Sequence, residues 1–230
     1  MGSLVSSDEK IADPTNDGIS HDVPVVVGSL VFGVFFGGVG GGVAFPTLPT
    51  LGTVLSITPV LVGVILSTNR FTRVVMNTPA GQLIDKFGTR RPMIVGFLLQ
   101  ALGPFGYVLG LYADLVPVVG PTGIFIFARM MWGFGSAFVF VGAFSTVTHI
   151  TSDDNRGQWI GYFRGGQSLG FPAGLFLGGI LTDLYRYAVA FDLSGITGVF
   201  ATAGAGFVLP DVSPEMEKPA GLVELPRSVR

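Results

Sequence analysis

The sequence predicts an all-α polytopic membrane protein with six transmembrane helices, and three observations carry that prediction. Apolar residues make up 49% of the 230-residue chain and charged residues only 12%, a balance that belongs to membrane chains rather than soluble domains. The apolar residues gather into six segments, Val23–Phe45, Ile57–Ile84, Pro92–Tyr112, Pro121–Thr148, Gly157–Leu181 and Tyr187–Leu209. Each can cross a hydrocarbon core of about 30 Å, which takes about 20 helical residues. The 35 glycines fall mostly inside those segments, where small residues let helix backbones approach closely in lipid.

Residues 1–22 are polar and mildly acidic, with no apolar core before a small-residue cleavage site. They read as a disordered cytoplasmic tail, not a signal peptide. The first helix carries Gly33, Gly37 and Gly41 at four-residue spacing, with Gly38 and Gly42 alongside. Thr47–Ser56 is expected as an external loop. The second segment holds a polar stripe of Asn69, Arg73 and Asn77, with Arg70 one position away, because residues four apart share a helix face. The third and sixth segments contain no basic residue, as expected of helices outside a translocation path. The fourth contains Arg129. The fifth carries Gly157, Gly161 and Gly165, then Gly166, Gly170, Gly174 and Gly178, and also Arg164 with Gln167 one turn along. These glycine ridges predict tight packing of the first and fifth helices on their neighbours. Residues 210–230, with four prolines and mixed charge, read as a flexible cytoplasmic linker or the start of a central loop.

Orientation follows from the connections. Lys86, Arg90 and Arg91 follow the second helix and Arg156 the fourth, whereas the connections after the first and third carry no Lys or Arg. The positive-inside rule then puts both termini in the cytoplasm, in what is expected to be the plasma membrane. The absence of cysteine excludes disulfides, thiolate metal sites and a cysteine nucleophile. His21 and His149 fall at segment ends, and Asp153 and Asp154 have no histidine or further acid in register, so they read as a solvated turn and no metal is expected. No glycine run matches a phosphate-cradling loop, and neither a cofactor nor a nucleic-acid partner is expected.

Arg70, Arg73, Arg129 and Arg164 lie at membrane depth without an Asp or Glu at comparable depth. Each costs about 2.5–3.5 kcal/mol at mid-bilayer on insertion scales, so four facing lipid would cost roughly 10–14 kcal/mol. They must face protein or a watery cavity. Buried salt bridges or carbonyl contacts would satisfy them singly. As a group they call for an anionic solute, for acids from another bundle, or for water.

The run from Gly81 to Pro92 joins the second and third helices. Gly81, Leu83, Asp85, Gly88, Arg90 and Arg91 fill the pattern G-x-L-x-D-x-x-G-x-R-R/K, which resembles the signature loop of the major facilitator superfamily. Arg129-x3-Gly133 resembles that family's fourth-helix element. Gly161, Gly170, Gly174, Gly178 and Gly179 match the fifth-helix glycine pattern of its proton-coupled antiporters. Leu175 stands where that pattern has proline and Pro172 lies three residues earlier, so the antiport direction does not carry over.

The resemblance implies the amino-terminal six-helix bundle of a secondary transporter that works by ion-coupled alternating access, with a second six-helix half or another copy as partner. A solute and coupling-ion pathway is then expected at Asn69, Arg70, Arg73, Asn77, Arg164 and Gln167, from their depth and helical spacing, and at Arg129, from its likeness to the fourth-helix element. The resemblance also implies a cytoplasmic latch of Gly81, Asp85, Gly88, Arg90, Arg91 and Arg156, with Asp85 paired to the basic residues or to the opposing bundle. A non-transporting scaffold or partner subunit is the alternative. A membrane enzyme is not expected, since no serine–histidine pair or paired aspartates stand at depth.

Overall fold

The computed structural model describes residues 23–112 and 120–209. The expected tail at 1–22 and linker at 210–230 lie outside the described residues. The described residues form six helices, α1 (Val23–Val54), α2 (Pro59–Phe87), α3 (Arg90–Leu111), α4 (Gly120–Ile150), α5 (Arg156–Leu184) and α6 (Tyr187–Val208). By length and composition α1, α3, α4 and α6 are apolar enough to cross a membrane. α2 and α5 are equally suited in length, 29 residues each, but they carry Arg70, Arg73 and Arg164.

One boundary is corrected. α1 continues past Phe45 to Val54 through Pro46 and Pro49, so most of the expected external loop is helix. Each proline removes a main-chain donor. Threonine hydroxyls bond to carbonyls of the same stretch, Thr47 to Val43 at 2.6 Å and Thr50 to Thr47 at 2.9 Å. The extension also buries Leu48 and Leu51 against Ile65, Tyr107 and Phe125, and that burial favours helix over loop. α2 ends at Gly88, whose φ of 77° is open to glycine and costly for other residues.

Neighbours in sequence are mostly not neighbours in packing. α2 packs chiefly on α4, α4 on α3, α3 on α6, α6 on α1 and α1 on α5. Exchanging α1 with α4, α2 with α5 and α3 with α6 leaves this set of pairs unchanged. The bundle is therefore two three-helix units related by a pseudo-two-fold arrangement, of the kind found as internal repeats in transporters. α2 and α5 occupy equivalent places at the two ends of the series. Apolar clusters close the bundle at either end. One gathers Leu30, Met93, Phe97, Val147 and Phe163, the other Leu51, Ile65, Tyr107, Phe125 and Phe191.

The closest approach is α1 on α5. A side chain at Gly170 or Gly174 would collide with the carbonyls of Phe35 or Val39, and one at Gly178 would stand 2.7 Å from the Val43 Cα. Gly38 and Gly42 of α1 reciprocate against Phe171 and Gly174. Gly161 and Gly179 face open space, as do Gly157 and Gly165. The step from Gly165 to Gly166 turns the ridge by about 100°, so only the second run of glycines meets α1. On the equivalent pair, Gly133 of α4 sits where a Cβ would lie 2.7 Å from the Asn69 carbonyl of α2.

Gly174→Ala is therefore expected to lower stability by about 1–3 kcal/mol, the range for overpacking a closed contact. Gly179→Ala is expected to be neutral or stabilising by up to about 1 kcal/mol through helix propensity. Thermal unfolding of the two variants in detergent, followed by circular dichroism, checks the contrast.

Candidate functional site

Between the two apolar clusters lies a cavity of about 460 Å³. Its wall takes side chains from α1, α2, α4 and α5, plus Gln100 of α3, and none from α6. Its polar members are Asn69, Arg70, Arg73, Gln100, Arg129, Ser136 and Gln167, and its aromatic members Phe45, Trp132, Phe140 and Phe171. No Asp or Glu lines it.

Arg129 is held deepest. It is 4% exposed, one turn before Gly133, the residue that lets α4 close on α2. Its guanidinium carbon lies 5.6 Å from the Tyr107 ring centre. Tyr107 is fully buried on α3 and wedged against Phe125 and Phe191, with ring centres 6.1 and 5.0 Å away. An aromatic face stabilises a desolvated guanidinium by up to about 2 kcal/mol. Arg129 Nε and Nη2 nevertheless have no hydrogen-bond partner among the described residues, nor do Gln100 Nε2 and the Tyr107 hydroxyl. Arg73 is half-buried, with its guanidinium carbon 5.2 Å from the Phe140 ring centre. The Ser136 hydroxyl is already committed to the Gly133 carbonyl at 2.9 Å.

Of the seven pathway residues read from the sequence, five converge here: Asn69, Arg70, Arg73, Arg129 and Gln167. Asn77 and Arg164 are exposed and off the wall. Arg164 stacks instead on Phe144, 5.0 Å from its ring centre. Four-residue spacing drifts by about 40° per step, so by Asn77 the polar stripe has turned away from the cavity. Gln100 and the aromatic wall were not singled out in the sequence. A lone amide amid the apolar residues of α3 is the signal that marks Gln100.

The expected latch residues sit apart from one another. Asp85, Lys86 and Arg91 are exposed. Arg90 donates from Nη2 to the Gly206 carbonyl near the end of α6 at 2.8 Å, and Arg156 pairs with Asp153 at 2.8 Å. Among the described residues Asp85 makes no ion pair with Arg90, Arg91 or Arg156. Gly81 faces open space and Gly88 caps α2. No group of three or more metal-ligating side chains occurs among the described residues.

A six-helix membrane bundle built from paired three-helix units around a mid-height polar cavity defines a transporter-type fold. The sequence profile of the Major Facilitator Superfamily matches residues 30–230, and the chain belongs to that family. It is 26% identical over 169 residues to Multidrug resistance protein 1 of Bacillus subtilis, covering 71% of this chain and 41% of that protein. An uncharacterized MFS-type transporter of Methanocaldococcus jannaschii is 28% identical over 173 residues, 75% of this chain and 42% of that protein. Quinolone resistance protein NorA of Staphylococcus aureus is 21% identical over 172 residues, 75% of this chain and 42% of that protein. The chain thus matches about two-fifths of the length of these curated relatives.

Tyr107 supports Arg129 through its ring, while its hydroxyl has no partner. Tyr107→Phe is expected to hold or raise stability by about 1 kcal/mol, since it removes an unpaired buried hydroxyl. Tyr107→Leu is expected to lower it by about 2 kcal/mol or more through lost ring packing and cation–π contact. Melting temperatures in detergent read both.

Proposed function

We propose that this chain is one six-helix half of a secondary transporter for a small solute that joins an aromatic or apolar body to an anionic group. One observation carries the reading: Arg70, Arg73 and Arg129 share a cavity wall that holds no acid. In a low-dielectric site each attraction is stronger than in water, and planar guanidinium groups suit oxyanions. Phe45, Trp132, Phe140 and Phe171 supply the apolar contacts.

Transport on this reading works by alternating access, coupled to an ion. It needs a second bundle, or another copy of the chain, on the side where α2 and α5 leave the cavity between them. Lipid covers the remaining outer surface. The sparse basic residues on alternate connections favour cytoplasmic termini and a plasma-membrane location. Exposed Asp85 fits a latch partner on the second bundle rather than within this one, and its loss would shift the balance of inward- and outward-open states. A second reading has support of its own. Two of the similar proteins are named for multidrug or quinolone resistance, which favours a drug as cargo, with acids of the second bundle offsetting the arginines.

A test uses 4-nitrobenzenesulfonate, an anion that crosses protein-free bilayers poorly and quenches tryptophan. With Trp159→Phe leaving Trp132 as sole reporter, the purified chain is expected to bind it. Arg129→Ala should weaken binding at least about tenfold, the usual scale for losing a charge-assisted bond. Counterflow in proteoliposomes is expected only when a second bundle or a dimer is present. Equal binding by wild type and the Arg73→Ala and Arg129→Ala variants would put the drug reading ahead.

A further inference from the structure

Every unpaired buried nitrogen on the cavity wall belongs to a hydrogen-bond donor. These are Nε2 of Gln100, on a side chain 5% exposed, and Nε and Nη2 of Arg129, 4% exposed. Leaving buried donors unpaired costs about 1–3 kcal/mol each, and more for a charged group. These nitrogens have almost no accessible surface of their own, so a small turn of either side chain toward the cavity it lines would bring them to a ligand that only accepts. An ionised carboxylate is such a ligand, with two oxygens and no proton to give. A metal cation or an ammonium group, which offers no acceptor, would leave all these nitrogens unpaired.

Gln100 is also held in place. A Cβ on Gly37 of α1 would stand 3.0 Å from its Oε1, and one on Gly135 of α4 would stand 3.1 Å from its Cγ. Gly37 thus makes room for this one amide, the only such group on α3, while Gly135 admits the α3 backbone at Gly96 and touches the Gln100 stem. An amide inserted in an apolar membrane helix is costly without a partner. Packing alone would be served as well by methionine or leucine.

We infer that Gln100 is a specificity-determining residue: its amide and the Arg129 guanidinium form a two-residue anchor for a single carboxylate on the solute. The amide donates to one oxygen and the guanidinium to the other, so the anchor selects a carboxylate over its neutral carboxamide. This rests on the anionic-solute reading above and names the group within it that discriminates.

The experiment compares 4-nitrobenzoate with 4-nitrobenzamide, alike in shape and differing in charge and donor character. Binding is read by quenching of Trp132 in the detergent-purified Trp159→Phe chain, alongside the melting temperature. Wild type is expected to favour the carboxylate at least tenfold. Gln100→Met is expected to lose about tenfold in 4-nitrobenzoate affinity, leave 4-nitrobenzamide within about twofold, and melt at the same or a higher temperature. A structural role would instead lower the melting temperature and weaken both ligands together, which overturns the assignment. Gln100→Glu, able to pair with Arg129, is the second variant. It is expected to stay folded and to lose the preference for the carboxylate. Carboxylate binding within twofold of wild type in both variants would overturn the role of Gln100 and leave the anionic-solute reading standing. A wild-type chain with no preference for carboxylate over carboxamide would sink the two together.

Discussion

A guanidinium group cannot be left against hydrocarbon, and the arrangement of this bundle follows from that constraint. Arg70, Arg73, Arg129 and Arg164 lie inside α2, α4 and α5, away from the helix ends, and insertion of each carries a cost of a few kcal/mol at mid-bilayer. Three of them are turned onto one cavity wall. Three of the four also lie against rings: Arg73 on Phe140, Arg129 on Tyr107 and Arg164 on Phe144. The aromatic faces replace part of the hydration that the charge has lost, without neutralising it. On the proposed function, the positive field that remains is what draws the solute into the cavity.

That placement depends on backbone contact elsewhere. Gly170, Gly174 and Gly178 let α5 lie directly on α1, and Gly133 lets α4 lie on α2. These are equivalent pairs under the exchange of the two three-helix units. The same operation relates α2 to α5, the two helices that carry arginine but fall short as purely apolar spans. Close glycine contacts therefore fix the spacing of the helices, and α2 and α5 take matching positions beside the cavity. The polar function and the packing code are parts of one arrangement.

Much of this was legible in the sequence because hydropathy and segment length are local properties. All six helices appear where the apolar segments stand, and Arg129-x3-Gly133 marked a residue that reaches the cavity. What was not legible depends on phase and on partners. Thr47–Ser56 was expected as a loop, yet burial of Leu48 and Leu51 carries α1 through Pro46 and Pro49 to Val54. Arg164 and Gln167 are about 60° apart around α5, enough to put Gln167 on the wall and Arg164 outside it. Sequence order did not reveal that α1 packs on α5 and α6 rather than on α2. Nor did the latch motif reveal that Arg90 is engaged by α6 and Arg156 by Asp153.

The proposed function requires a cavity that is water-accessible and positive. The chain has no native cysteine, so single cysteines at Asn69 and Gln167 on the wall, and at exposed Thr53 for reference, can be probed cleanly. The most direct measurement is the ratio of modification rates by sulfonate-bearing and trimethylammonium-bearing methanethiosulfonates, each normalised to a free thiol. At both wall positions the anionic reagent is expected to gain at least several-fold relative to Thr53, with the gain shrinking as salt screens the field. A cationic reagent that reacts faster at Asn69 and Gln167, or ratios equal to that at Thr53, would contradict a positive cavity.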